Sequence, residues 1–131
     1  MDLDHVGIAV SSLTSAVQRW RALLGGFPSS PEEVRSAGVR VVFLEAGATH
    51  IELLEPLGPE STIAKFLERR GEGLHHLAFR VPSVDHALAE LAARGEPVID
   101  RIGRPGSRGR RVGFAHPTAF GGVLVEFVEG P

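Results

Sequence analysis

Two stretches rich in β-branched and small apolar residues, LDHVGIAV (3–10) and LHHLAFRV (74–81), each run into a helical pattern. After the first, Ser12 offers an N-cap. Leu13, Ala16, Val17, Trp20, Leu23 and Leu24 then recur at helical spacing up to Gly25. After the second, Ser83 caps, Val84, Ala87, Leu88 and Leu91 form the stripe, and Gly95 closes it. Strand patterns follow in pairs. RVVFLEA (40–46) with THIELLEP (49–56), and RRVGFAH (110–116) with GVLVEFVE (122–129), read as hairpins. A weaker strand precedes each hairpin, around Glu33–Val34 and around Val98–Ile99.

The two patterns are one pattern repeated. At an offset of 71, Leu3 meets Leu74, His5 meets His76, Val10 meets Val81, Ser12 meets Ser83 and Ala16 meets Ala87. RVVFL (40–44) meets RVGFA (111–115) at the same offset. Three extra residues then enter, and HIELLE (50–55) meets LVEFVE (124–129) with Glu52 opposite Glu126. An ordered series of this kind marks two related βαβββ modules. The expected class is α+β. One domain spans residues 1–131, with module one at about 1–57, a connector at about 58–72 and module two at about 73–131. In the connector, Ser61 or Thr62 can cap a short helix whose Ile63, Phe66 and Leu67 share a face, and Gly71 can stop it. IGRPGSRGRR (102–111) lacks periodicity and reads as a basic loop.

Composition narrows the classes. The 131 residues are 43% hydrophobic and 23% charged with a net charge of -2, as in an ordinary soluble globular protein. This balance suggests no general affinity for nucleic acid or acidic membranes. Cysteine is absent. That removes disulfides, thiolate metal ligands and a cysteine nucleophile, and it fits a reducing, cytoplasmic setting. MDLDHVGIAV lacks the basic start of a signal peptide, and no apolar run nears the roughly 20 residues of a membrane helix. There is no Asn, and Gln18, Met1 and Lys65 are each the only residue of their type. This bias fits a thermophile source and equally a GC-rich genome.

Strand alternation then sorts the polar residues. In the first strand Val6, Ile8 and Val10 share a face with Asp4, and Leu3, His5, Gly7 and Ala9 share the other. In its counterpart Leu77, Phe79 and Val81 side with His75, and Leu74, His76, Ala78 and Arg80 lie opposite. The bulkier row should pack on the helix, and the row with small residues should line an open, concave face. Glu52 and Glu126 stand among apolar neighbours, where a carboxylate needs water, a partner or a metal. Taken singly, these residues read as strand histidines and solvated glutamates. Their paired occurrence favours one divalent metal held by His5, Glu52, His76 and Glu126, two ligands from each module, with positions left for substrate. Imidazole and carboxylate suit Co, Ni, Zn, Mn or Fe. His75 is then a packing or hydrogen-bonding residue, Trp20 belongs to the core, and His50, His86 and Lys65 belong to the surface. Arg104, Arg108, Arg110 and Arg111 are either solvated loop arginines or contacts for phosphate.

DHVGIAV (4–10), IELLEPLGPESTIAKFL (51–67), GEGLHHLAFRV (71–81) and FAHPTAFGGVLVEF (114–127) resemble the vicinal oxygen chelate superfamily and, within it, the methylmalonyl-CoA epimerase family. The resemblance covers essentially the whole chain. It implies tandem βαβββ modules forming a cupped, pseudo-twofold mixed sheet around a metal site. It implies His5, His76 and Glu126 as metal ligands, with Glu52 at a fourth position that varies. Cobalt is the first choice of metal, with Zn, Ni, Mn or Mg as alternatives. The implied activity is epimerisation of (2R)- and (2S)-methylmalonyl-CoA by removal and return of the α-proton through a metal-stabilised enolate. Glu126 is the first candidate base and Glu52 the candidate for the opposite face, with a water or His116 as substitute. The implied partners are a CoA thioester substrate and a second copy of the chain. Glyoxalase I, an extradiol dioxygenase and a ligand-binding module of the same fold are the rival readings. The chain departs from some relatives at Val41, where they carry glutamate, at Ala37–Gly38, where they carry Gln-Gly, and at Thr118, where they carry lysine. These departures touch the second base and acyl-group contacts, not the metal set.

Overall fold

The computed structural model describes residues 1–130, in eight strands and three α-helices. They form two compact units: His5–His75, and Met1–Asp4 with the chain from His76 onward.

The first unit holds most of β1 (Asp2–Ala9), then α1 (Leu13–Leu24), β2 (Glu32–Val34), β3 (Val39–Ala46), β4 (Thr49–Pro56) and α2 (Thr62–Arg70). β1 runs parallel to β4, with Gly7 opposite Glu52. β4 and β3 pair antiparallel, Glu52 opposite Phe43, and β2 pairs antiparallel to β3 at the edge. Ser12 caps α1 by accepting the Ser15 N–H, and the Glu55 carboxylate, at the end of β4, accepts the Leu13 N–H at 2.9 Å. The helix start is thereby tied to the sheet it covers. Alternation divides the sheet side chains into two rows, the bulkier one on α1 as expected; the row of His5, Gly7 and Ala9, expected on an open face, is buried instead, because α2 covers part of it. Ile8, Val10, Val42, Leu44 and Leu53 pack with Leu13 and Ala16 of α1. Ala9, Val39, Val41, Phe43 and Leu54 face the other way and pack with Ile63 of α2. Ser61 is the α2 cap, and its hydroxyl accepts the Ala64 N–H.

The second unit repeats the plan with most of β5 (Gly73–Val81), then α3 (Val84–Ala93), β6 (Arg104–Pro105), β7 (Arg111–Ala115) and β8 (Val125–Glu129). β5 runs parallel to β8, with Ala78 opposite Glu126, and β7 pairs antiparallel to β8, with Phe114 opposite Glu126. Ser83 caps α3, and Glu129 accepts the Val84 N–H at 2.8 Å, the counterpart of Glu55 at α1. Val84, Leu88 and Leu91 of α3 pack with Val81, Ala115, Val125 and Phe127. The helix lies close here because β7 carries Gly113. A Cβ at that position would sit 2.7 Å from Leu88 Cδ1 and 3.0 Å from Val84 Cγ1.

Four expectations need correction. Leu23 is 73% exposed, because it lies at the rim of the helical stripe, whose Leu13, Ala16, Val17, Trp20 and Leu24 pack on the sheet. Val98–Ile99 is not a strand; Val98 makes one isolated bridge to Ala115. The edge strand of this module is instead β6, inside the segment read as a basic loop, because β7 offers Val112 and Arg111 as partners to Arg104 and Pro105. The last hairpin is shorter than its sequence pattern: Pro117–Phe120 form a 3₁₀ turn and β8 begins only at Val125. His116 caps that turn, its ring nitrogen accepting the Thr118 N–H at 3.1 Å.

Candidate metal centre

His5, Glu52, His76 and Glu126 are all buried, at 2, 5, 5 and 7% exposure. In the first unit His5 Nε2 stands 3.3 Å from a Glu52 carboxylate oxygen. In the second, His76 Nε2 stands 3.4 Å from a Glu126 carboxylate oxygen. Each module therefore brings one imidazole and one carboxylate together on the same sheet face. The glutamate is reached from β4 or β8, the strand parallel to the one that carries the histidine.

Burying a carboxylate needs compensation. An imidazole donating one hydrogen bond meets that need in part. A divalent cation meets it fully, and imidazole nitrogen and carboxylate oxygen are fitting donors for one.

A third residue completes each pair. Phe43 lies edge-to-face with His5, centroids 5.5 Å apart and planes at 87°. Phe114 does the same with His76 at 5.7 Å and 84°. Sequence reasoning missed both, although the offset of 71 that aligned the histidines also aligns these rings.

His75 turns away from this set, as its strand parity requires. Its ring meets Phe66 of α2 edge-on at 5.0 Å. His50 differs from the surface reading: its Nδ1 is buried and has no hydrogen-bond partner among the described residues. Val41 is 1% exposed in the core of the first unit.

The basic segment is tied down by carboxylates. Asp4, 2% exposed, receives Arg80 at 3.1 Å, Arg108 at 3.2 Å and Arg110 at 2.9 Å. Arg111 pairs with Asp85 at 2.9 Å, and Arg104 with Asp100 at 3.4 Å. None of the four segment arginines is merely solvated. The Gly103 N–H and the Arg111 guanidinium, in that order, hold the Asp85 carboxyl below its ordinary range.

Residues 4–114 match the Glyoxalase/Bleomycin resistance protein/Dioxygenase superfamily, and the chain belongs to it. Within that class several of its relatives are epimerases. The ethylmalonyl-CoA/methylmalonyl-CoA epimerase of Cereibacter sphaeroides is 40% identical over 130 residues, which cover 97% of this chain and 96% of that protein. The methylmalonyl-CoA epimerase of Mycobacterium tuberculosis has a solved structure with a TM-score of 0.92 and 38% identity, over 98% of this chain and 87% of that one. A methylmalonyl-CoA epimerase solved with methylmalonyl-CoA and NH4+ gives 0.92 at 36% identity, over 98% and 93%. The fold is the glyoxalase-like α+β arrangement of these proteins.

Proposed function

We propose that the chain is a methylmalonyl-CoA epimerase that interconverts the (2R) and (2S) thioesters, with His5, Glu52, His76 and Glu126 as the ligands of one divalent metal. The observation that carries the reading is the buried histidine–glutamate contact, present at 3.3 Å in one module and at 3.4 Å in the other. The relatives' names supply the substrate class.

A divalent ion, when bound, supplies Lewis-acid stabilisation of negative charge developing on the substrate's oxygens. The chain's own groups do the rest. His5 and His76 would hold the ion as neutral imidazoles. The apolar residues around Glu52 and Glu126 keep water away from the two carboxylates. Glu126 accepts the C2 proton from one face of the substrate, and Glu52 is its counterpart for delivery to the other. No atom is gained or lost overall, since the proton taken from C2 is replaced by one on the opposite face. His116 is a poorer base candidate, because its ring is exposed and committed to capping a 3₁₀ turn. Cobalt is the first metal to test. A homodimer in the cytoplasm completes the reading.

Metal-loaded protein should wash deuterium from solvent into C2 of methylmalonyl-CoA and leave glutathione hemithioacetal unturned. Turnover of the hemithioacetal without exchange into the thioester would place the chain with glyoxalase I instead.

A further inference from the structure

We infer that Phe43 and Phe114 are positioning residues that hold the imidazoles of His5 and His76 in the one orientation that presents Nε2 to the site. This rests on the metal reading above. Each phenylalanine sits directly across the strand pair from the module's glutamate, Phe43 opposite Glu52 and Phe114 opposite Glu126. Each ring stands nearly perpendicular to its histidine, at 87° and 84°. Both histidines point Nε2, not Nδ1, at the carboxylate.

The repeat sharpens the case. Around these rings the modules have diverged: Val42 corresponds to Gly113, and Leu44 to Ala115. The phenylalanine recurs unchanged between them. Each ring has its own further contact, Phe43 with the His50 ring at 6.3 Å and Phe114 with the Arg104 guanidinium at 5.5 Å. The flanking support therefore differs while the His–Phe geometry does not. Turning an imidazole over about Cβ–Cγ exchanges Nε2 with a carbon and sweeps the ring through the space beside it. A perpendicular aromatic ring packed there blocks that motion. A leucine has comparable bulk but no flat face, and would leave the imidazole free to turn.

The test compares Phe43→Leu and Phe114→Leu with Phe127→Leu, whose ring is buried on the opposite face of β8 in the α3 core. Calorimetric titration of the apo-proteins with Co(II) alone should show each site variant weakened about 10-fold, as for other groups that orient metal ligands. Side-chain NMR of the apo-proteins should show one imidazole state for His5 and His76 in the parent. It should show a doubled or broadened state only for the histidine whose neighbour is changed. Phe127→Leu should lower the melting temperature and leave both readouts alone. Equal weakening across all three variants, or unchanged Co(II) affinity in the two site variants, would overturn the inference. If the parent binds no divalent ion, the metal reading fails. The NMR arm still decides whether these rings fix the imidazoles, and unchanged signals there refute it.

Discussion

His75 and His76 are neighbours in sequence with opposite duties, and one pair of substitutions separates them. His76→Ala should lower divalent metal affinity by more than about 100-fold, beyond the effect of losing an orienting neighbour. His75→Ala should keep the metal and lose an edge-on contact with Phe66, a contact worth about 0.5–1.5 kcal/mol. Metal content measured on both purified variants decides it; loss in His75→Ala alone would put the strand register one residue out. The candidate ligands were legible in the sequence because alternation and the internal repeat each sort residues by position. Phe43 and Phe114 were not legible as site residues, since an aromatic ring in a strand reads as core. Asp4 escaped for another reason. Its partners Arg80, Arg108 and Arg110 lie 76 to 106 positions away, and no local period reports such a meeting.

Among the elements, the helices were the most legible, because their caps are local: Ser12, Ser61 and Ser83 each bond an N–H three residues on. β6 was hidden because its pairing is imposed by β7 and not by any propensity of Gly, Pro and Arg. The α3–β7 contact gives a sharp prediction. Gly113→Val should destabilise by roughly 1–3 kcal/mol, as overpacking does, since Leu88 and Val84 are both fully buried and must give way together. A melting temperature equal to the parent's would mean that α3 shifts freely on its sheet. The same helix has an acid-sensitive anchor in Asp85, which bonds the Gly103 N–H at 2.7 Å and Arg111. Its carboxyl is held below the ordinary value in the folded chain. The stability it contributes is present above the unfolded-state value, near 3.9, and is lost as pH falls through the lower folded value. Asp85→Asn should therefore lower stability at neutral pH and flatten that part of the acid limb; an unchanged limb would remove Asp85 as its cause.

For the molecule as a whole, one carboxylate, Asp4, ties the first residues of the chain to three arginines that lie far along it, in the same unit. Asp4 is 3% exposed at its side chain, while Arg80, Arg108 and Arg110 are 28, 32 and 15% exposed. Removing the acid leaves three guanidiniums facing one another, with only part of their charge in water. Asp4→Asn should cost about 3 kcal/mol, at the low end for breaking a buried pair because the arginines still reach solvent. At this chain length that lowers the melting temperature by roughly 10 °C. Arg108 makes a finer test possible. It is the one non-glycine residue at positive φ among the described residues, at φ 58°, a conformation that costs an L-residue about 1 kcal/mol. With Asp4 in place, Arg108→Gly relieves that strain but gives up the 3.2 Å ion pair, so the net change should be small or unfavourable. In the Asp4→Asn background there is no such pair to lose and a like charge is removed, so the same substitution should stabilise. Thermal melts of the four proteins measure the coupling directly. If Arg108→Gly shifts stability equally in both backgrounds, Asp4 does not hold Arg108 in its left-handed turn, and the arginine segment must owe its conformation to its own glycines.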